Sequence, residues 1–254
     1  MTPRFEKGSN MRIKSILITA AAAIAVAACG GGETAAVPTG EALAKVAAPA
    51  GKIWSDVVVK TDVGGYKMGN PDAKLQLIEY GAITCPGCAK FSVQSTEELT
   101  KMVDSGVVAM EFRPFLVHGA QDIPGFLLAQ CNGPEAFYPL SEQLFAEQAG
   151  WLGKMSSITE ADQQSTQKMS PAQLSAFLGT KMGLVEFVKQ RGISEAQAKS
   201  CLGDTKAIDG LIQLTEQGQK DGVTGTPYFT LNNAPLNVGA WAEVKAKLKG
   251  AGAR

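Results

Sequence analysis

The sequence has a single histidine, His118, and no excess charge of either sign, since Lys plus Arg and Asp plus Glu both total 24 among its 254 residues. A nucleic-acid partner is therefore not expected, because proteins that bind one usually carry a basic excess. After the N-terminal stretch, no run reaches the roughly 18 apolar residues that a membrane-spanning helix needs. The chain is long enough for one globular domain with a sizeable core.

The N-terminal residues have the pattern of an export signal over residues 1–29. Arg12 and Lys14 precede an apolar run at residues 16–28, which has the length of a signal core and is too short to span a bilayer. Met11 fits the start of such a signal better than Met1, because residues 1–10 are mostly polar and add nothing to the signal pattern. We therefore expect the protein to be exported.

The apolar run ends in a sequence that can carry a lipid. Residues 26–29, Val-Ala-Ala-Cys, resemble a bacterial lipobox, which implies cleavage before Cys29 and lipidation of that cysteine. This predicts a protein held to a membrane on the periplasmic side of the cell envelope. No Asp follows Cys29, which favours the outer membrane by the enteric sorting rule. An ordinary secretory signal, with Cys29 in the cleaved part, is the alternative.

Composition and periodicity divide the rest of the chain. Residues 30–52 are rich in Gly, Ala, Thr and Pro and predict a flexible tether. Residues 53–249 predict one domain, with a mainly helical insertion at about 120–205 in which Ser170 and Ser194 are candidate N-caps. The predicted strands lie at residues 57–63, 75–80, 107–115, 228–231 and 235–238, and the predicted helices outside the insertion lie at residues 89–103, around 208–215 and 241–250.

A pair of cysteines follows the second predicted strand and opens a helix, in the order Cys85-Pro86-Gly87-Cys88. At a helix start the first amides lack partners and the dipole is positive, so a thiolate at Cys85 is stabilised. Cys88, one turn inside, should be less exposed. The placement predicts Cys85 as the sulfur that attacks and is attacked, and Cys88 as the resolving sulfur.

Two other uses of this cysteine spacing are weighed against a redox pair. A zinc site needs two more Cys or His ligands at close spacing, whereas His118 is the only histidine and Cys131 and Cys201 are far apart in the sequence. A permanent structural disulfide is the other use. Without Cys29, four cysteines remain in an exported protein, and they allow three pairings.

Further motifs resemble those of a known family. Gly225-Thr226-Pro227 resembles the cis-proline loop of thioredoxin-fold proteins, with a plain turn as the alternative. Glu79 matches the buried acidic position six residues before the first cysteine, with an exposed face of the strand as the alternative. With the helical insertion, the chain resembles the DsbA-like branch of the thioredoxin superfamily. This implies an α/β fold, with a mixed central sheet flanked by helices and an inserted helical domain. Classical members have Pro-His between the cysteines, so a strongly oxidising character is not implied for Pro-Gly.

The resemblance also implies roles for several residues. Glu79 would assist the proton of the second cysteine, and Thr226 and Pro227 would dock the substrate chain. Some DsbA-like proteins have a second bridge, which implies a structural disulfide between Cys131 and Cys201. Two free buried thiols, or exchange of one of them with Cys88, stay open as alternatives.

The expected activity is thiol–disulfide exchange with cysteine-containing exported proteins, in either the oxidising or the reducing direction. It needs no cofactor and no metal, but a redox partner must regenerate the active pair. A rival hypothesis is an envelope lipoprotein that holds copper(I) through Cys85 and Cys88 without turnover.

Overall fold

The computed structural model describes residues 40–254. The predicted signal, its lipobox and Cys29 lie outside these residues. The strands are β1 (Val58–Lys60), β2 (Tyr66–Gly69), β3 (Leu75–Gly81), β4 (Val108–Pro114), β5 (Tyr228–Leu231) and β6 (Ala234–Pro235). The helices are α1 (Pro86–Asp104), α2 (Ile123–Ala129), α3 (Phe137–Ala146), α4 (Gln148–Gly153), α5 (Glu160–Thr166), α6 (Pro171–Lys181), α7 (Leu184–Lys189), α8 (Glu195–Leu202), α9 (Thr205–Lys220) and α10 (Trp241–Gly250).

The strands form one mixed sheet in the order β1-β2-β4-β3-β5-β6. β3 and β4 are parallel, whereas the other neighbours are antiparallel. A parallel pair needs a crossover connection, and α1 supplies it. The predicted strand–helix–strand unit is confirmed, and it places the start of α1 directly after the central strand β3.

Helices α2 to α8 lie between β4 and α9, inside the stretch that was predicted to be helical. α2 is buried along its whole length, and α3, α6, α7 and α8 pack against it. Ser170 caps α6 and exchanges hydrogen bonds with Gln173, as its N-cap pattern predicts. Ser194 caps α8 through the amide of Gln197, but the Gln197 side chain bonds Asn132 instead of reaching back. The N-cap predicted at Ser194 is therefore confirmed, and the reciprocal bond of a capping box is not made there.

The sheet differs from its prediction at both edges. β1 is a three-residue edge strand that pairs with β2. The sequence did not predict β2, because the glycines around this short strand hide the alternation of its residues. Asn232 and Asn233 turn the chain with positive φ, which asparagine tolerates. The strand that follows them ends at Pro235 rather than at residue 238, although the Leu236 amide still donates to the Phe229 carbonyl at 2.9 Å.

Residues 40–46 are hydrogen-bonded to the domain, although they fall in the predicted tether. The amides of Gly40 and Leu43 donate to the carbonyls of Gly250 and Gly252 at 3.1 and 2.9 Å. Leu43 packs against the main core. The folded body therefore begins by residue 40 rather than at residue 53. Within residues 40–254, no helix has the combined length and apolarity that crossing a bilayer requires.

Candidate active site

Cys85 is the N-cap of α1, and Pro86 is at the first helical position. The Cys85 backbone is extended, so its sulfur turns back over the helix start and accepts a hydrogen bond from the Cys88 amide at 3.3 Å. Cys88 has no exposed surface, whereas Cys85 is 7% exposed. Both are free thiols. Cys85 is therefore the more exposed of the two sulfurs, as predicted from the position of the motif.

The surroundings shift the pKa values of the two thiols in opposite directions. A hydrogen bond from the Cys88 side chain is the largest influence on Cys85 and, with bonds from the backbone amides of Cys88 and Gly87, outweighs burial and lowers the Cys85 pKa from 9.0 to about 5. Burial raises the pKa of Cys88 well above 9.0. At neutral pH, Cys85 is consequently a thiolate and Cys88 a thiol, which is the division of charge that an attacking and a resolving sulfur require.

The loop before β5 closes over this pair. The Thr226–Pro227 bond is cis, as the resemblance implied. When protonated, the Cys85 thiol donates to the Thr226 carbonyl at 3.3 Å. A Cβ added at Gly87 would lie 3.0 Å from Cδ of Pro227, so glycine lets the proline ring approach the helix start. The loop thus brings a main-chain acceptor and an apolar ring to Cys85.

Glu79 lies in the middle of β3 and is 4% exposed. Burial, and then the charge on Cys85, raise the pKa of its carboxyl well above 4.5. Its charge in turn contributes to the raised pKa of Cys88. Oε1 of Glu79 is buried without a hydrogen-bond partner among the described residues. The carboxyl is thus buried close to the resolving sulfur, as the strand pattern predicted, and its role in proton transfer stays a prediction.

Asp122 holds the residue before Cys85 and is fully buried. Its Oδ1 accepts from the amide and the hydroxyl of Thr84, at 3.1 and 2.6 Å, and its Oδ2 accepts from the His118 amide at 2.8 Å. Nδ1 of His118 lies 2.6 Å from the Thr84 hydroxyl. That hydroxyl donates to Asp122, so Nδ1–H is the donor to Thr84. His118 lies in the loop after β4, and this chain of bonds depends on contacts that no motif in the sequence indicates.

Gln148 connects the helical block to the cysteine loop. Its side-chain amide is buried and donates to the carbonyls of Ile83 and Cys85 at 2.8 and 3.0 Å. Sequence reasoning missed this residue, because a glutamine in an amphipathic stretch is ordinarily a surface residue.

Cys131 and Cys201 form a disulfide that joins the end of α2 to α8, with 5.8 Å between their Cα atoms. This is the pairing that the resemblance implied, and it leaves Cys85 and Cys88 to each other. Among residues 40–254, no three or more His, Cys, Asp or Glu side chains cluster in a way that could hold a metal ion.

The fold and this site define a thioredoxin-fold protein with a cysteine pair at a helix start. The family model described as Thioredoxin matches residues 61–249. The chain belongs to the thioredoxin family.

Similar proteins agree with this placement. A "Putative protein-disulfide oxidoreductase" of Rickettsia bellii is 28% identical over 69% of this chain, and its counterpart in Rickettsia conorii is 27% identical over 69%. The aligned part spans 60% and 56% of the lengths of these two relatives. A protein-disulfide isomerase of Novosphingobium aromaticivorans superposes with a TM-score of 0.67 at 27% identity, over 73% of this chain and 95% of that one. Wolbachia pipientis alpha-DsbA1 shares the fold, with a TM-score of 0.55 at 18% identity over 73% and 91%.

Proposed function

We propose that this protein is a thiol–disulfide oxidoreductase that acts on protein substrates through Cys85 and Cys88. The observation that carries the proposal is the arrangement of the two sulfurs. Cys85 lies at the helix start beside the Thr226 carbonyl, and Cys88 is fully buried one turn behind it. The names of its relatives and of its structural neighbours support the same activity.

In the oxidising direction, a substrate thiolate attacks Cys85 of the Cys85–Cys88 disulfide. A mixed disulfide forms, and Cys88 leaves as a thiolate that takes up a proton. A second substrate thiolate then attacks the substrate sulfur of the mixed disulfide, which forms the substrate disulfide and releases the Cys85 thiolate. In the reducing direction the same steps run backwards: Cys85 attacks a substrate disulfide, and Cys88 loses its proton and displaces the substrate.

Two further parts of the site serve these steps. Glu79 is the group that gives a proton to Cys88 or takes one from it, because it is a buried carboxyl whose charge acts on that sulfur. The Thr226–Pro227 loop docks the substrate chain, because its main chain lies within hydrogen-bond distance of Cys85.

The proposed substrates are cysteine-containing exported proteins, and a separate redox protein recycles the pair. The export pattern of residues 1–29 and the lipobox ending at Cys29 support a periplasmic-side location with a lipid anchor. Growth with labelled palmitate tests the anchor. The label should enter the wild-type protein and not Cys29→Ala, and label in both would contradict lipidation at Cys29.

The decisive experiment is the reduction potential of Cys85–Cys88, measured by alkylation gel shift across glutathione buffers on protein that begins after residue 29. A value of about −120 mV indicates an oxidase, and about −270 mV indicates a protein that must be supplied with electrons. Cys131→Ala/Cys201→Ala is the matched control, because it leaves only the proposed pair to titrate. A pair that never equilibrates with glutathione would overturn the proposal.

The same samples separate exchange from copper storage. A copper(I) site needs both thiolates, and the burial that raises the pKa of Cys88 opposes this. We expect reduced protein to lose copper(I) to a chelator while it still exchanges disulfides. Stoichiometric copper retention without exchange would favour the binding function.

A further inference from the structure

A narrow cavity lies beside Glu79, between β3, α1 and α3. Its volume is about 40 Å³, and it reaches Ser95 of α1 and Ser141 and Glu142 of α3. A water molecule needs roughly 10–15 Å³ of such space, so the cavity has room for about three or four. Polar groups from three elements therefore surround a space of the right size for water.

Two of these groups have no hydrogen-bond partner among residues 40–254. Oε1 of Glu79 and Oγ of Ser141 are buried without a hydrogen bond, and each residue is 4% exposed. Buried polar atoms are nearly always paired with protein or with ordered water. Both residues line the cavity, so water held inside it can satisfy these two atoms.

Glu142 lies where this cavity meets the outside. It lines the inner space together with Glu79, and it also lines an open pocket of about 400 Å³ with Asp56 and Glu135. Tyr138 lines both spaces, but its hydroxyl is held by the Phe112 amide and by main-chain carbonyls, so it is committed to the fold.

The charges around Glu142 suit a group that exchanges protons. Its carboxyl is partly buried, and this burial raises its pKa. The titratable side chains that line the two spaces are Glu79, Tyr138, Asp56 and Glu135, and no Lys, Arg or His of the described residues is among them. No cation therefore fixes Glu142 as a carboxylate.

The chemistry of the cysteine pair needs such a route. Cys88 is fully buried, and a bound substrate covers Cys85 during exchange. Each half-reaction nevertheless moves one proton to or from the Cys88 sulfur. Neither the inner cavity nor the outer pocket is lined by Cys85, so a path through them stays open while substrate is bound.

We propose that Glu142 passes protons between solvent and Glu79 through water in this cavity. The inference rests on the proposed function. When Cys88 leaves as a thiolate, protonated Glu79 gives it a proton, and the Glu79 carboxylate is reprotonated across the water by Glu142, which takes its own proton from the outer pocket. In the reducing direction, each proton moves the opposite way.

The test is single-turnover reduction of the Cys85–Cys88 disulfide in the full chain by saturating dithiothreitol, in dilute buffer. We expect Glu142→Gln to lower the limiting rate at least tenfold and Glu142→Asp, which keeps the acid, to lower it less. Ser141→Ala should slow the reaction in the same direction. Glu147→Gln is the matched control, since this exposed carboxylate lies near the end of the same helix and lines neither space.

Two readouts separate a relay from a structural role. Added imidazole, a small proton carrier, should restore the rate of Glu142→Gln without changing the wild-type rate. The equilibrium constant with glutathione should stay within twofold, because a relay changes rates only. An unchanged limiting rate in Glu142→Gln overturns the relay, and so does a slow rate that imidazole does not restore. A wild-type pair that does not react with dithiothreitol overturns the proposed function, and the relay with it.

Discussion

The low pKa of Cys85 depends most on the side chain of Cys88. The Cys88 thiol is the main donor to the Cys85 thiolate, and the Cys88 amide adds a second bond that no side-chain substitution removes. We expect Cys88→Ala to raise the Cys85 pKa above its value of about 5, and Cys88→Ser, which keeps a donor, to raise it less. The rate of iodoacetamide alkylation against pH measures both midpoints. Midpoints that stay at the wild-type value in both variants would mean that the Cys88 side chain does not hold the thiolate.

Glu79 should make the protein less stable as the pH rises. Its folded-state pKa is raised above 4.5, so the folded protein favours the neutral carboxyl. The free energy of unfolding then falls with increasing pH above about 4.5, with a slope of at most about 1.4 kcal/mol per pH unit for one group. Glu79→Gln lacks this loss, so its advantage over wild type should be smallest near pH 4 and grow towards pH 7.

Urea unfolding at several pH values measures this difference, and the oxidised protein is used so that Cys85 does not titrate. Glu97→Gln is the control, since Glu97 is exposed on α1 and pairs with Lys101. Its difference from wild type should stay flat. A pH-independent advantage for Glu79→Gln would show that packing rather than ionisation governs the site.

At the scale of elements, α4 fixes the loop that carries the cysteines. Gln148→Leu removes two buried hydrogen bonds. The Cys85 carbonyl still accepts a bond from the Ala89 amide, but the Ile83 carbonyl loses its side-chain donor. We expect the free energy of unfolding to fall by about 1–3 kcal/mol. Gln213→Leu, on the exposed face of α9, should change it by less than about 0.5 kcal/mol. Urea unfolding compares them, and equal losses would contradict a special role for Gln148.

Elements with strong local signals could be predicted from the sequence, and those defined by distant contacts could not. The apolar run of β3, the turn at Asn232 and the N-cap at Ser170 each depend on neighbouring residues, and all three are observed. β2 is short, lies between glycines and depends on pairing with β4.

The same distinction holds within the site. The cysteine pair and the cis-proline loop have recognisable motifs. Gln148 and Asp122 act on main-chain and side-chain groups 38 to 65 residues away in the sequence, so only the folded chain brings them to the site.

At the scale of the whole molecule, residues 40–46 join the N-terminal end of the folded body to its C-terminal end. Val46 donates to the Ser105 carbonyl at 2.9 Å, and its own carbonyl accepts from the Trp54 ring at 2.7 Å. Leu43 bonds Gly252 and contacts the core. This segment therefore makes hydrogen bonds at the C-terminal ends of both α1 and α10, and it should contribute to the stability of the whole domain.

Shortened chains test this contribution. Protein beginning at residue 53 should lose about 2–4 kcal/mol of unfolding free energy relative to protein beginning at residue 40, because it lacks the Leu43 contact and these hydrogen bonds. Protein beginning at residue 30 is the control and should match the one beginning at 40. Gly252→Ala should destabilise all three chains through strain, because Gly252 has a positive φ. It should destabilise the chains that begin at 30 and 40 further, because the added Cβ would lie 2.5 Å from the Glu41 carbonyl oxygen, which the chain beginning at 53 lacks. Equal urea midpoints for chains beginning at 40 and 53 would mean that residues 40–52 lie on the domain without stabilising it.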